Sequence, residues 1–308
     1  MTKESKISKI EIVTGFSCNN NCRFCSVGNR NFDKNTYQMK QDIRKAAETT
    51  RKEINFTGGE PTIRKDIFEL IEYARSFGFE EIRVTTNGRM FSYEDFTKKI
   101  VFSGLTGAIF SIHAHTAKLH DYFTCVSGSF DQAIEGWKNL KNNGGLIDNN
   151  VVITTKNYRF LPELAEMLIK NDVRGVCLIY PTIDGNLLKN LELVPAMNEA
   201  APFIHKAIDI IDQNQKTAWC LNMPVCFMSG YEKYSELMEL RTKMIWPNLE
   251  TNLDEKRKEG RFHVNVCSEC KFRMVCAGVP KKYLDLKGDK NIMPVKGDLI
   301  RNAIEIYK

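Results

Sequence analysis

No uninterrupted apolar run in this 308-residue chain approaches the length of about 18 residues that a membrane-spanning helix needs. The N-terminus, Met1-Thr2-Lys3-Glu4-Ser5-Lys6, lacks the apolar stretch of a secretion signal. A cytoplasmic protein is therefore expected. Strong charge imbalance is missing too. The net charge of +6 is mild for this length, and either an anionic partner or scattered solvated lysines would account for it. The mixed-sign run from Asp254 to Arg261 reads as an exposed loop or helix face and gives no reason to expect nucleic-acid binding. Hydrophobic content of 43% and charged content of 27% are those of an ordinary globular protein, long enough for one large α/β core and a smaller appendage.

Cysteine, by contrast, is plentiful. Ten cysteines in a chain without a secretion signal argue against a disulfide framework and for metal or redox chemistry. Cys18, Cys22 and Cys25 follow the apolar segment Ile10-Glu11-Ile12-Val13, and a thiolate trio on one short loop can hold three corners of a cubane iron–sulfur cluster. The fourth iron then has no protein ligand and is open to a substrate or cofactor. A zinc knuckle or unconnected buried thiols are the alternatives. Structural zinc sites usually pair two Cys-x2-Cys hooks, and no second hook lies near Cys25. Cys125 and Cys177 stand apart from the other cysteines, and Cys177, within Val176-Cys177-Leu178-Ile179, reads as a buried core thiol.

Six apolar runs each lead toward a helix-like stretch: Ile10–Thr14, Ile54–Thr57, Ile82–Thr86, Ala108–Ile112, Val151–Thr155 and Val176–Tyr180. Their near-continuous apolar character predicts parallel strands covered on both faces. The helices between them carry the 3.6-residue rhythm: Ile67, Leu70, Ile71, Ala74 and Phe77 line one face, Phe130, Ala133, Ile134, Trp137 and Leu140 another. Leu161, Leu164, Ala165, Leu168 and Ile169 line a third, and Phe203, Ala207, Ile208 and Ile211 a fourth. Ser92 and Ser129 are expected to start helices, with Gly78, Gly104 and Gly144-Gly145 at helix ends. Alternating βα units imply a parallel sheet with right-handed crossovers, either curled into a partial barrel or open, with chemistry at the carboxyl ends of the strands.

The motifs fall at those ends. Gly58-Gly59-Glu60-Pro61 follows the second run, Thr85-Thr86-Asn87-Gly88 closes the third, Ser111-Ile112-His113 the fourth and Thr154-Thr155-Lys156-Asn157 the fifth. Taken alone, Gly58-Gly59 is a tight turn, and so is Asn87-Gly88. His113, His115 and His120 invite a metal reading, but no carboxylate or cysteine sits at a matching offset, so hydrogen bonding or loop ordering is expected of them, with Asp121 capping or ordering the loop toward Ser127-Gly128-Ser129.

At Cys18-x3-Cys22-x2-Cys25, with Phe24 before the third cysteine, and at Gly58-Gly59-Glu60-Pro61, the sequence resembles the radical S-adenosylmethionine (SAM) enzymes, over roughly residues 8–210. That resemblance implies a partial (β/α)6 barrel, a TIM-like α/β fold, as a core domain over residues 1–210, followed by a smaller auxiliary domain over residues 211–308. It implies that Cys18, Cys22 and Cys25 hold a [4Fe–4S] cluster whose open iron chelates the amino and carboxylate groups of SAM. One electron then cleaves the sulfonium to methionine and a 5′-deoxyadenosyl radical, which takes a hydrogen from substrate. It further implies that Gly58 and Gly59 let the backbone approach the methionyl ammonium, that Glu60 adds a negative partner, and that Phe24 packs near the adenine. Ser111 is implied at the methionyl carboxylate, with Thr86 and Asn87 near the ligand. An electron donor such as ferredoxin or flavodoxin is implied as a partner.

Cys220-x5-Cys226 and Cys267-x2-Cys270-x5-Cys276 are similar to the cysteine pattern of SPASM and twitch domains, which append auxiliary [4Fe–4S] clusters. The match is incomplete, since Pro280 stands where a further cysteine belongs. The resemblance favours one auxiliary cluster on four of the five thiols, with Cys226, Cys267, Cys270 and Cys276 as the preferred set. Two clusters with open irons, or zinc in the same ligands, are the alternatives. Relatives with such extensions often modify ribosomally made peptides, so a peptide or protein substrate is expected first. A leader-binding domain is not expected in the eight or so residues ahead of the first strand. A small molecule of cofactor or nucleotide metabolism is the second expectation, and a non-catalytic metal scaffold the third.

Overall fold

A computed structural model describes residues 7–28, 31–235, 237 and 240–307. The N-terminal hexapeptide that was read for a targeting signal lies outside them. Seven parallel strands run in chain order across one sheet: β1 (Lys9–Val13), β2 (Glu53–Thr57), β3 (Glu81–Thr86), β4 (Gly107–Phe110), β5 (Leu146–Val152), β6 (Gly175–Ile179) and β7 (Thr217–Leu221). The connecting helices are α1 (Thr36–Thr49), α2 (Ile67–Ser76), α3 (Glu94–Ser103), α4 (Ala117–Thr124), α5 (Ser129–Asn142), α6 (Leu161–Lys170) and α7 (Met197–Gln213). At the opposite edge β8 (Thr242–Ile245) joins β1 in parallel, and β9 (Glu250–Asn252) turns back on β8. The sheet therefore runs past residue 210 at both of its edges.

The strands are apolar on one face only. Ile10, Ile12, Ile54, Phe56, Ile82, Val84 and Phe110 pack under the helices. The alternate positions, Lys9, Glu11, Glu53, Asn55, Glu81, Arg83 and Asp148, are polar and meet one another on the other side. The expectation of strands covered on both faces holds at Asn55, Arg83 and Asp148, which are buried on the inner side, but the near-continuous apolar character expected of the strands does not extend to that side. The sheet curls and its inner face holds a charge network instead of a helix layer. Five strand spacings separate β1 from β6, about 24 Å if flat, yet the Cys177 thiol on β6 feels Lys9 and Glu11 on β1. Cys177 thus faces the concave side, while its neighbours Val176 and Leu178 enter the core.

The fifth strand begins at Leu146 rather than Val151 because its polar middle is satisfied locally. Asp148 pairs with Arg83 and Arg174 at 2.5 and 2.9 Å, and the Asn149 amide accepts from the Ile112 N–H and donates to its carbonyl. Helix starts also differ in detail. α5 is capped by the Asp121 carboxylate, which accepts from the N–H groups of Gly128 and Phe130 and from the Ser129 hydroxyl. Asp121 thus orders the loop expected of it. α3 starts at Glu94, two residues after Ser92, whose hydroxyl instead donates to the Arg89 carbonyl. α1, which the sequence reading passed over, opens with a capping box between Asn35 and Gln38.

The remaining chain forms a short helix, α8 (Leu253–Lys256), a two-stranded ribbon of β10 (Arg261–Phe262) and β11 (Val279–Pro280), and α9 (Lys281–Lys287). It has a separate small core of Val225, Leu237, Cys270 and Phe272, with Val275, Val295 and Ile300 packed against it.

Candidate active site

The loop carrying Cys18, Cys22 and Cys25 leaves the end of β1 and is pinned from four directions. Asp33 accepts from the backbone N–H groups of Phe16 and Ser17 at 2.9 and 3.1 Å, and also from the Ser17 hydroxyl. The Asn21 and Arg23 N–H groups donate to the Thr124 and Phe123 carbonyls at the end of α4. Arg89, held by Gln132, donates to the Asn19 carbonyl and the Asn20 side chain. Asn186 donates its backbone N–H to the Cys25 carbonyl and its amide to that of Cys22, at 2.9 and 3.0 Å.

Gly58 and Gly59 sit under this loop. Gly58 has φ of +118°, and a Cβ there would run into the Gly15 carbonyl, while one on Gly59 would run into the Ser17 carbonyl. The glycines also admit the cysteine loop, whose Gly15 and Ser17 carbonyls accept from the Gly59 and Glu60 N–H groups at 2.8 Å. Glu60 is buried. Its Oε1 accepts from the Thr62 N–H, the Thr62 hydroxyl and the Thr86 hydroxyl, and its Oε2 from the Asn87 N–H. Burial raises the Glu60 pKa, against the pull of those four donors. The carboxylate thereby ties the end of β2 to the end of β3. Pro61 opens the short turn Pro61–Ile63. An open cleft of about 440 Å³ beside these elements is lined by Ser17, Asp33, Glu60 and Arg64 among others.

Asn87 reaches the loop directly, donating to Asn19 Oδ1 at 2.6 Å and lying 4.0 Å from Cys18 Sγ. The Asn20 N–H also points at Cys18 Sγ, at 3.4 Å. Ser111 follows β4 and donates its N–H to the Thr86 carbonyl, which places it beside that strand end. Phe24 is buried, edge-on to His113 at 4.7 Å and tilted against Phe123 at 5.5 Å. His113 and His120 stack at 5.9 Å. The His120 Nδ1 accepts from the His113 N–H, and the His113 Nδ1 from the Val152 N–H. Both imidazoles are kept neutral by burial, His120 down to about 4 and His113 well below its usual range. They order the wall on which Phe24 rests. His115 stands apart, its ring against Phe160.

The donor set fits an iron–sulfur cluster with one open corner. Three soft thiols share one loop, two N–H groups face the Cys18 sulfur, and the thiols sense one another: burial pushes Cys18 up to about 11, with Cys25 adding, and pushes Cys22 up further, with Cys18, Cys25 and Cys125 adding. Cys125, read as standing apart, is thus close to this group. Thiols so disposed stay protonated until metal displaces the protons. Among the described residues no three His, Cys, Asp or Glu side chains close around a single ion. A cluster of several metal atoms asks for wider-set thiols than tetrahedral zinc, whose sulfurs stand about 3.8 Å apart.

In the C-terminal part, Cys226, Cys267, Cys270 and Cys276 line one cavity of about 20 Å³, with His263, Arg273 and Met293 in its wall. Burial pushes Cys226 up to about 12, with Cys276, Cys270 and Cys267 adding. The Gly278 N–H points at Cys276 Sγ at 3.3 Å. Cys220 is not among them: it lies on β7, fully buried in the main core. On β7 it alternates with Trp219, which shares the concave side with its register partner Cys177, so Cys220 enters the core.

The family model for the radical SAM superfamily matches residues 12–185. A probable GTP 3′,8-cyclase of Saccharolobus solfataricus is 31% identical over 178 residues, which cover 54% of this chain and 56% of that protein. An Fe-coproporphyrin III synthase of Methanosarcina barkeri is 29% identical over 158 residues, 51% of this chain and 38% of that one. The chain thus spans about half the length, or less, of these curated relatives. Among solved structures, Streptococcus suis SuiB bound to S-adenosylmethionine superposes with a TM-score of 0.65 at 18% identity, covering 95% of this chain and 76% of that one. Methylornithine synthase (PylB) gives 0.59 at 14%, covering 91% and 84%. At such identities the structures speak for the fold alone.

Proposed function

This chain belongs to the radical SAM superfamily, and on that premise we propose that it is a peptide- or protein-modifying enzyme whose substrate is held over the concave face of the sheet. Membership brings with it SAM and a [4Fe–4S] cluster, which when bound supplies the electron that opens the sulfonium and so the radical that takes hydrogen from substrate. In this reading Cys18, Cys22 and Cys25 hold the cluster. Backbone groups of Gly58–Glu60, the Ser111 hydroxyl and the ends of β3 at Thr86 and Asn87 hold and orient the methionyl part, and Phe24 with its histidine support shields the site from water. The buried Glu60 carboxylate contributes negative potential from behind the turn.

One observation carries the choice of substrate. Cys226, Cys267, Cys270 and Cys276 gather at one cavity, an appended cysteine group similar to that of the SPASM and twitch domains, whose bearers often modify ribosomally made peptides. A small-molecule substrate is the second reading, favoured by the activities named for the two curated relatives.

The C-terminal thiols Cys226, Cys267, Cys270 and Cys276 are assigned to a second, fully ligated iron–sulfur cluster. The cluster unit then lies within residues 211–308, a span whose β7 and β8 nevertheless belong to the main sheet. Iron and acid-labile sulfide analysis of anaerobically reconstituted full-length protein tests this, with about eight irons expected and a zinc-plus-four-iron count excluding it. For the substrate, deuterium-labelled peptides and deuterium-labelled GTP are each incubated with reconstituted, reduced protein and SAM. Deuterium in 5′-deoxyadenosine from a peptide supports the proposal. Transfer from GTP alone overturns it.

A further inference from the structure

The cysteine loop is braced by one more stretch of chain than the sequence motifs account for. Between β6 and α7 the short turn Gly185–Lys189 lies against it, and residues 186–190 fall beyond the residues 12–185 that the family model matches. Gly185, at φ of +55°, comes so close that a Cβ there would run into the Cys25 carbonyl and the Ser26 backbone. Both ends of the segment are fixed. Asp184 accepts from the Gly185 N–H at 2.9 Å. Thr155 donates its N–H to the Leu193 carbonyl and its hydroxyl to the Glu192 carbonyl, at 3.0 and 2.8 Å.

Two asparagines of this segment take up the carbonyls of the stretch that carries Cys22 and Cys25. The Asn186 N–H donates to the Cys25 carbonyl at 2.9 Å, and its side-chain amide to the Cys22 carbonyl at 3.0 Å and to Asn21 Oδ1 at 3.2 Å. The Asn190 amide donates to the Arg23 carbonyl at 3.2 Å and to the Asn186 carbonyl at 2.8 Å. The Cys22 carbonyl accepts in addition from the Cys25 N–H at 3.1 Å, which fills both of its lone pairs. A carbonyl that accepts from residues 186–190 points its negative end at them and cannot turn it toward the thiols. An iron–sulfur cluster gains a negative charge on reduction, so the dipoles around it decide how readily the electron is accepted. N–H groups aimed at the sulfurs, as the Asn20 N–H is at Cys18 Sγ, favour reduction, and carbonyls aimed at them oppose it. The set of the loop also decides where the unligated corner faces.

We propose that Asn186, with Asn190 beside it, is a positioning residue of the N-terminal cluster. It holds the Cys22, Arg23 and Cys25 carbonyls turned away from the metal, and so sets both the ease of reduction and the fit of SAM at the open iron. The inference rests on the reading of Cys18, Cys22 and Cys25 as the cluster ligands. Asn186 acts through the ligand peptide groups, as residues behind a metal's own ligands orient and tune a site. Aspartate in its place has the same shape, no side-chain N–H for the Cys22 carbonyl, and a charge of its own. Leucine loses the donation without adding charge. The two changes therefore separate dipole from charge, a distinction to which mere support of the loop is blind.

The test compares Asn186→Asp, Asn186→Leu, Asn190→Ala and Leu188→Ala, each as reconstituted full-length protein. Leu188 is half exposed on the same segment and its side chain has nothing to donate to the loop. The paramagnetic signal that vanishes in Cys22→Ala is followed in a redox titration against a one-electron viologen dye. SAM binding is read from the change in that signal as SAM is added. Half-reduction is expected to need at least about a tenfold higher ratio of reduced to oxidised dye in Asn186→Leu. Asn186→Asp should need more again, and Asn190→Ala a smaller excess. SAM affinity should fall at least about fivefold in both Asn186 variants. Leu188→Ala should match the wild type in both readings. If Asn186→Leu cannot hold the cluster while Leu188→Ala can, iron analysis records the loss and the positioning role stands. Unchanged titration and affinity in both Asn186 variants, or equal changes in Leu188→Ala, overturn it. A Cys22→Ala protein that keeps every signal removes the ligand reading, and the inference with it.

Discussion

The loop at Cys18–Cys25 and the cavity at Cys226–Cys276 are built around the same side chain and are held in different ways. The first group offers three thiols on one loop, braced by β2, β3, α4 and the Asn186 turn, and Cys18 remains exposed. The second gathers four thiols from two separate stretches of chain, with Cys270 buried in a small core of its own. Metal sites that do chemistry keep a coordination position open, and sites that do not are closed by protein. The difference in thiol number and enclosure sets an open site on the N-terminal loop apart from a closed one at the C-terminal cavity, and the proposed division of roles rests on that contrast.

The largest expected effect separates the two sites directly. Cys22→Ala should lower 5′-deoxyadenosine formation by about a thousandfold or more, read by chromatography of the reduced, SAM-treated protein. Cys270→Ala should lower the iron content but leave dithionite-driven SAM cleavage within about threefold. Equal loss in both variants would erase the contrast.

Next comes the scaffold. Phe272 is fully buried in the second core, and Phe272→Ala should cost that unit about 3–5 kcal/mol. Limited proteolysis should then cut within residues 254–307 while the half-barrel stays intact. Cleavage spread evenly over the chain would mean that the two cores fold as one.

A third test concerns pH. His120 and His113 are buried and neutral, with pKa values below those of the unfolded chain. The unfolded state then binds more protons between about pH 6.5 and 4, so stability is full above that window and falls as pH falls through it. His120 alone contributes a loss of about 3 kcal/mol by pH 4. Urea unfolding across this range should show the slope in the half-barrel transition, and His120→Gln should flatten it. A slope unchanged by the substitution would contradict the burial account.

The smallest expected effect belongs to Cys220→Ala. This change should leave iron content untouched and cost about 1 kcal/mol of stability through a small core cavity. Loss of iron would move Cys220 into the second site.

Much of this was legible in the residues. The strand order, the apolar helix faces at Ile67–Ala74 and Leu161–Leu168, and the gathering of the motifs at strand ends follow from local pattern. The concave charge network was less visible, because Lys9-Ile10-Glu11-Ile12 and Glu53-Ile54-Asn55-Phe56 alternate over too few residues to outweigh their apolar content. β5 was displaced in the reading because Asp148 and Asn149 look like loop residues until Arg83, Arg174 and the Ile112 backbone are brought to them. The double duty of Gly58-Gly59 could not be seen either, since only the fold lays the Gly15–Ser17 backbone on top of them. Cys125 near Cys22, and the separation of Cys220 from the other C-terminal thiols, are likewise products of tertiary packing.

Electron paramagnetic resonance of the reduced, anaerobic enzyme with and without SAM tests the central contrast most directly. The signal that disappears in Cys22→Ala should change shape when SAM is added, and the signal that disappears in Cys270→Ala should not. A SAM-dependent change confined to the C-terminal signal, or no change in either, would contradict the account.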